Sequence, residues 1–341
     1  MKIVKLPKYD IYINDSFSSY NEFFNNYFNS AFFVITDQTV FSIYKETLEN
    51  KLNKKKLFWY ILEPGDDSKT SENALKIIGF LFKNNAKRDD VLISFGGGVI
   101  TDITGLVASI YMRGVNLVHI PTTIIGQIDS SIGGKTSVNH LKYKNIIGTF
   151  YDPAFVICET DYLKTLPEKE IINGLGELIK TGFIGDEEII KKIELNDQKL
   201  LTPNIIKKAI DVKKEYVIED YFDKSKRNIL NFGHTIGHAV EAASNFQVTH
   251  GQAVIFGMVK ALEVGISLKL TNPQVLKRLN DLINTINYKL PDTVFKDYEK
   301  FLYKDKKSEL NGVKFVFLED VLKPKVEIIS WEKLKDELAS K

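Results

Sequence analysis

Short continuous apolar runs alternate with helical patterns through the first half of the chain. Ala31–Thr36 (AFFVIT) reads as a buried strand ending at Asp37, and Leu57–Leu62 (LFWYIL) as a second, followed by the turn-rich EPGDDS. Asn73–Asn84 has helical spacing. Val91–Phe95 (VLISF) is a third strand running into GGG, Ile100–Met112 is helical, and Val115–Thr123 (VNLVHIPTT) is a further strand ending at a loop. Strands alternating with helices predict a parallel sheet under helical cover.

The texture changes after about Cys158. Long helical patterns then dominate, at Glu168–Phe183, Glu187–Glu194, Asn204–Glu219, Gly233–Ala243 and Gly251–Leu268, punctuated by Pro167, Pro203, Pro273 and Pro291. The expected organisation is an α/β nucleotide-binding domain over residues 1–158 and a mostly α-helical domain over 159–341. A tail from Gly312 (VKFVFLEDV) adds one or two strands. The run KLNKKK at 51–56 reads as a solvated helix end.

Composition changes this picture little. The chain has 341 residues, 44% hydrophobic and 26% charged, enough for two cores. A net charge of +2 gives no electrostatic case for nucleic acid or an acidic membrane surface. The single cysteine, Cys158, excludes an internal disulfide or a multi-cysteine zinc cluster, suits a reducing compartment and reads as a buried, inert thiol. The opening MKIVKLPKYD lacks the apolar core of a signal peptide. No apolar run reaches the ~18 residues of a membrane span. The expected location is the cytoplasm.

Four segments carry candidate chemistry. The first is GGGVITDITG, Gly96 to Gly105, where a glycine turn feeds a helix whose free N–H groups and positive dipole end can hold a pyrophosphate. It is not the G-x-G-x-x-G fingerprint, and a plain strand-to-helix turn explains it equally. Asp37, at the end of an earlier strand, can accept from a ribose hydroxyl or cap a helix. The second is Pro121 to Asn145, PTTIIGQIDSSIGGKTSVNHLKYKN, rich in hydroxyls, glycines and amides. It reads as a floppy loop or a binding surface and not as a core element; as a binding surface it offers Asp129, Lys135, Lys144 and Asn145 to a phosphate or carboxylate.

The third, NGLGELIKTGF, puts Glu177 and Lys180 three apart on one helix face. Taken alone it reads as an exposed ion pair worth about a few tenths of a kcal/mol. The fourth, NFGHTIGHAVE, holds two of the five histidines, His234 and His238, at i,i+4, with His250 following. That spacing can put both imidazoles on one metal; equally, one can bind the metal while the other faces a substrate. Two histidines, a carboxylate and an open position make a catalytic zinc arrangement, and Glu177 is the best carboxylate by pattern. Helix histidines with ordinary hydrogen bonds are the alternative.

Taken together, seven blocks in order from about Pro64 to Met258 resemble the 3-dehydroquinate synthase family. They are GGGVITDITG, RGV at Arg113–Val115, PTTIIGQIDSSIGGKTSVNH, KNIIGTFYDP, TLPEKEIINGLGELIKTG, LNFGHTIGHAVE and HGQAV, with DKK at Asp305–Lys307 beyond them. The resemblance implies a Rossmann-like NAD-binding α/β domain, a helical metal- and substrate-binding domain, and a homodimer in which Arg113 reaches the substrate phosphate in the neighbouring subunit. It implies a divalent metal, zinc with cobalt able to substitute, on Glu177, His234 and His250. It places the pocket for a phosphorylated sugar acid on Asp129, Lys135, Lys144, Asn145, Lys180, Lys213, Arg227, Asn231, His238 and Lys306. NAD contacts fall on Asp37, on Gly65, Asp66, Asp67, Ser68 and Lys69, on Gly98, Val99, Ile100, Thr101 and Asp102, on Thr122 and Thr123, and on Tyr162, Leu163, Lys164 and Thr165. Lys135 and Lys144 stand near both ligands.

The implied activity converts 3-deoxy-D-arabino-heptulosonate 7-phosphate to 3-dehydroquinate and phosphate, within aromatic amino-acid biosynthesis by the shikimate pathway. It proceeds through transient oxidation, phosphate elimination, reduction, ring opening and aldol closure. A cyclase making an inosose or a valiolone, a glycerol-type dehydrogenase and a nucleotide-sensing module are the rivals. Four departures stand out. Gln252 replaces a glutamate in HGQAV, which would weaken the metal's surroundings if that group supports a ligand. Thr101 replaces a glycine, Thr181 an aromatic residue, and HLKYKN the more common HPLGKN.

Overall fold

The computed structural model describes residues 1–53, 56–141, 143–196, 199–245, 247–302 and 312–340. The chain forms two compact units, Met1–Leu166 with Leu201–Ile210, and Pro167–Leu200 with Asp211–Lys341.

The first unit follows the apolar runs. Its strands and helices are β1 (Lys2–Lys5), β2 (Asp10–Asn14), β3 (Phe32–Asp37), α1 (Gln38–Leu52), β4 (Leu57–Leu62), α2 (Ser71–Lys83), β5 (Val91–Gly96), α3 (Gly98–Ile110) and β6 (Asn116–Pro121), then β7 (Lys135–His140), β8 (Tyr143–Phe150) and β9 (Phe155–Glu159). Seven strands form one sheet in the order β1-β2-β9-β6-β5-β3-β4. Every neighbouring pair is parallel except β1 with β2. β5 and β9 are buried along their whole length, as interior parallel strands covered on both faces must be. Side chains alternate between the faces. Phe33 and Ile35 of β3 pack with Ile77, Leu81, Ile103 and Val107 of α2 and α3. Phe32 and Val34 pack with Leu48 and Leu52 of α1.

Strand order reverses at β3. The chain leaves β3 for β4 on one side and returns to β5 on the other. Ligands of open parallel sheets bind at such a switch point, outside the carboxyl ends of the strands. Asp37 ends β3 and Gly96 ends β5, so the two candidate cofactor segments flank it.

The second unit is mostly helical. It holds α4 (Glu168–Gly185), α5 (Glu187–Glu194), the part of α6 (Pro203–Glu219) from Asp211 on, α7 (His234–Ala243), α8 (His250–Ser267), α9 (Pro273–Thr285), α10 (Phe295–Leu302) and α11 (Trp331–Ala339). The tail adds an antiparallel hairpin, β10 (Val313–Asp320) with β11 (Lys323–Ile329). Among the described residues no helix is long and apolar enough to cross a membrane.

Three expectations need correction. α3 stops at Ile110, short of Met112, because Met112, Arg113 and Gly114 take φ of 48°, 62° and 120° and reverse the chain. Lys51 is not solvated. It is buried and paired with Glu159, beside the Tyr20 and Tyr162 rings. The polar segment 121–145 does enter the core. Gly126–Ser130 forms a π-helical turn with Gly126, Gln127 and Ile128 buried, and Thr136 and Val138 of β7 are buried too. Its polar atoms tolerate burial by bonding: Gln127 Nε2 donates to the Pro121 and Glu159 carbonyls at 3.2 and 2.7 Å.

Candidate metal, substrate and cofactor sites

Three helices of the second unit bring the candidate ligands together. Asn173–Gly176 and Gly251 let α4 and α8 nearly touch: a Cβ on Gly176 would lie 2.4 Å from the Gly251 Cα, and one on Gly251 only 2.0 Å from the Asn173 carbonyl oxygen. Gly251 N–H also donates to Asn173 Oδ1 at 2.8 Å. The next residue on α4 is Glu177 and the residue before Gly251 is His250, so this backbone approach sets their separation. Gly233, at φ 79°, opens α7 and puts His234 at its first position.

The resulting geometry is tight. Glu177 Oε1 lies 3.1 Å from His250 Nε2 and 3.3 Å from His234 Nε2, and Glu177 Oε2 lies 2.6 Å from Lys180 Nζ. His234 Nδ1 donates to the Phe232 carbonyl at 3.2 Å, and His250 Nδ1 to Glu241 Oε2 at 3.0 Å. Each imidazole therefore spends its Nδ1–H on an oxygen and turns Nε2 toward one shared carboxylate oxygen. Without a metal, a proton on Nε2 of His250 can bridge to Glu177; a cation that displaces it would meet the Nε2 lone pairs and the carboxylate as one donor set. Two imidazole nitrogens and a carboxylate are a donor set that suits zinc or cobalt. The His238 ring stands at centroid distances of 5.2 Å from His234 and 6.0 Å from His250.

Electrostatics follow from enclosure. Burial opposes ionisation of Glu177, but the Lys180 ammonium and the two imidazoles override it and hold the carboxyl well below the usual range. Burial, with Lys180 beside it, lowers His234. Burial also opposes charge on His250, but hydrogen bonds to Glu177 and Glu241 outweigh it and push the ring up to about 10. The Glu177–Lys180 pair is thus enclosed, at 1% and 4% side-chain exposure, and not the exposed pair the spacing suggested.

Lys213 and Arg227 are buried cations of the same unit. Asn231 ends the short helix Lys226–Asn231 that begins beside Arg227. Asp220 clamps this approach, accepting from the N–H groups of Lys224 at 3.0 Å, Ser225 at 2.6 Å and Arg227 at 3.2 Å. Neither Asp220 nor Glu241 was singled out from the sequence. Asp220 gives no local pattern, while Glu241 lies seven residues after His234, on the same helix. Lys306 lies outside the described residues.

Gln252 does not touch the imidazoles. Its Oε1 accepts from Thr249 N–H at 3.3 Å and Thr249 Oγ1 at 2.9 Å, completing a capping box, and its Nε2 donates to the Lys289 carbonyl at 3.2 Å. Its amide supports no candidate ligand by hydrogen bonding; it fixes the start of the helix that carries His250.

The first unit gathers the candidate cofactor residues. Asp37 caps α1, accepting from Thr39 and Val40 N–H at 2.9 and 3.0 Å. Gly97 caps α3, and Gly98, Val99, Ile100, Thr101 and Asp102 form its first turns. Thr101 is an ordinary helical residue whose Oγ1 bonds the Gly98 carbonyl and Ser130 Oγ, both at 2.9 Å. Thr122 Oγ1 is buried with no partner among the described residues, and Thr123 Oγ1 accepts from Gly126 N–H at 3.0 Å.

Lys69 joins three of these elements. Its ammonium pairs with Asp102 of α3 and donates to Asn145 Oδ1 at 2.6 Å, while Lys144 stands 3.4 Å from Asp66. The turn holding Gly65, Asp66, Asp67, Ser68 and Lys69 is thereby stitched to the β7–β8 hairpin, which begins at Lys135. Asp129 sits in the π-helical turn before it. Tyr162 and Leu163 are core residues, whereas Lys164 and Thr165 are exposed, Thr165 Oγ1 bonding Tyr44 at 2.6 Å. Arg113 is exposed beyond the far end of α3, roughly 20 Å along the helix from the glycine turn.

This fold defines a structural class whose solved members include cyclases and dehydrogenases. A 2-epi-5-epi-valiolone synthase from Streptomyces hygroscopicus with NAD+ and Zn2+ bound superposes with a TM-score of 0.87 at 23% identity, covering 100% of this chain and 98% of that one. A 2-deoxy-scyllo-inosose synthase complexed with carbaglucose-6-phosphate, NAD+ and Co2+ gives 0.86 at 22% identity, covering 97% and 96%. Within that class, the chain belongs to the 3-dehydroquinate synthase family: the N-terminal model of that family matches residues 59–173 and the C-terminal model residues 174–308. The 3-dehydroquinate synthase of Clostridium tetani is 42% identical over 94% of this chain and 89% of its own length. That of Thermoanaerobacter pseudethanolicus is 37% identical over 97% of each.

Proposed function

We propose that the chain is a 3-dehydroquinate synthase, a phosphate-eliminating lyase that closes 3-deoxy-D-arabino-heptulosonate 7-phosphate to 3-dehydroquinate. The observation that carries this is the convergence of His234 Nε2 and His250 Nε2 on Glu177 Oε1, with Lys180 on the other oxygen. Relatives of the same name at 37–42% identity support the choice over inosose or valiolone synthases, to which the likeness is 22–23%.

Glu177, His234 and His250 would hold a divalent ion, and the segments flanking the β3–β5 switch point would hold NAD+. When bound, the ion acidifies a substrate hydroxyl and NAD+ takes up and returns one hydride. The protein's own part is electrostatic and positional. Lys180, Lys213 and Arg227 offset carboxylate or phosphate charge from fixed, largely dry positions, where preorganised cations are worth most. Lys135, Lys144, Asn145 and Asp129 of the first unit are assigned to the substrate on the family resemblance alone. Asn231 and His238 hydrogen-bond substrate hydroxyls and fix the ring. The departing phosphate itself accepts the proton lost in elimination, so no side chain is assigned as base. A homodimer in which Arg113 serves the neighbouring subunit completes the proposal. Exposed apolar side chains at Met112 beside it and at Leu141, Tyr143 and Ile146 on the hairpin offer surface for that contact.

One assay tests the reading. Protein, zinc, a trace of NAD+ and the heptulosonate phosphate should release phosphate far beyond the NAD+ supplied, without net NADH. Release no greater than the NAD+ present would reject the cyclase, and NADH accumulation would favour a dehydrogenase.

A further inference from the structure

Glu241 is buried on α7 and belongs to no group assigned so far. Its Oε2 lies 3.0 Å from His250 Nδ1, while the same ring's Nε2 lies 3.1 Å from Glu177 Oε1. An ionised carboxylate only accepts, so the Nδ1 atom donates to Glu241. With hydrogen held on Nδ1, the Nε2 position that faces Glu177 is the one a cation would take from its proton, leaving the lone pair for the ion. The backbone does the same service for His234, whose Nδ1 faces the Phe232 carbonyl at 3.2 Å. The two supports differ in one respect: a carbonyl on the neighbouring backbone is fixed by the fold, whereas the carboxylate is a side chain that substitution can remove. His250 is also the more exposed ring, at 29% against 12% for His234, so packing restrains it less.

We propose that Glu241 is a positioning residue for the divalent ion: it selects the Nδ1–H tautomer of His250 and turns Nε2 toward Glu177 and His234. This rests on the reading of Glu177, His234 and His250 as the ion's ligands. A different role is geometrically available. His238, Glu241 and His250 also offer ligand atoms within 4.8 Å of one another. In that set Glu241 would be a ligand itself. The first arrangement is favoured because its carboxylate is the more enclosed, with 1% side-chain exposure against 7% for Glu241, and faces two Nε2 atoms at once.

Zinc affinity, measured by competition with a chromophoric chelator on the full chain, separates these roles. E241A should raise the zinc Kd by about 10- to 100-fold and E241Q by about 10-fold, the range for outer partners of ligating histidines. Cobalt-loaded E241Q should keep the visible band pattern of the parent, because the ligand set is unchanged. E177A should abolish tight binding, and H238A should leave the zinc Kd within about twofold. Circular dichroism of the metal-free variants establishes folding, and E241Q carries the test if E241A does not fold. Parent-like zinc affinity in a folded E241 variant would overturn the proposal. So would a loss in H238A equal to that in E241A, or an altered cobalt spectrum in E241Q, since either would make Glu241 a ligand. Undiminished zinc binding by E177A would instead reject the underlying ligand assignment.

Discussion

Lys180 Nζ stands 2.6 Å from Glu177 Oε2, and the two side chains are enclosed together on one turn of α4. The ammonium partly neutralises a carboxylate that is otherwise buried beside two imidazoles. Removing one partner of a buried pair strands the other's charge, at a cost of roughly 3–5 kcal/mol. K180M should therefore destabilise the zinc-free protein by about 3 kcal/mol, and zinc should restore most of that loss because the ion takes over the neutralising role. Urea denaturation with EDTA and with zinc checks this. Equal losses in both conditions would show that Lys180 does not balance Glu177. The zinc Kd of K180M should be no weaker than the parent's, while phosphate release falls steeply.

His119 lies on β6, buried, with Nδ1 2.6 Å from Ser94 Oγ on the paired residue of β5. Burial pushes its pKa down to about 3 from an ordinary 6.5. The folded ring thus stays neutral while the unfolded chain binds a proton below 6.5. Its stabilising contribution is present in full above pH 6.5 and is lost as pH falls toward 3, at up to about 1.4 kcal/mol per pH unit. Between pH 7 and pH 5 the parent should lose about 2 kcal/mol relative to H119Q. Parallel stability curves for the two proteins would contradict this.

How much was readable in advance depended on the range of the interactions. The interior strands were legible because β3 and β5 bury nearly every residue, and a continuous apolar run has few other uses. Spacing made His234, His238 and His250 legible as a candidate metal cluster, with Glu177 the best carboxylate by pattern; which of them would be ligands came only from the family resemblance. The burial of Glu177 with Lys180 was not, since an i,i+3 pair has the same pattern on either face of a helix. Lys51 was misread for a related reason: its partner Glu159 lies 108 residues away, and a run of lysines gives no sign of it. The clamp at Asp220 was also invisible. Its carboxyl is held down at about 2 by the N–H groups of Lys224, Ser225 and Arg227, which only the folded turn assembles.

Gln252 illustrates a substitution whose meaning changed once its contacts were known. Its amide oxygen caps α8 through Thr249, and its amide nitrogen reaches the Lys289 carbonyl, which a carboxylate cannot do. Q252E should keep the cap, gain slightly from the helix dipole and lose one hydrogen bond, for a net change within about 1 kcal/mol. The zinc Kd should move by less than about tenfold, the equivalent of 1.4 kcal/mol of added charge interaction near a solvated surface. Tightening beyond that would mean position 252 acts on the ion through its charge.

Gly251 offers a way to move the cluster without touching a ligand. A methyl there would sit 2.0 Å from the Asn173 backbone oxygen, inside any allowed contact, and neither backbone can yield without parting α4 from α8. Parting them lengthens the Glu177–His250 approach, now 3.1 Å. G251A should cost about 3 kcal/mol or more in stability, at the upper end of overpacking effects. It should also weaken zinc binding at least about tenfold with all three donors intact. The control is Gly79 on α2, where an added methyl meets nothing within 4 Å. G79A should leave zinc binding unchanged and stabilise the protein by about 0.5–1 kcal/mol, as alanine does over glycine inside a helix. Chelator competition and denaturation on both variants decide the matter. If G251A binds zinc as the parent does, the helix approach at Gly251 is not what sets the distance between acid and imidazole.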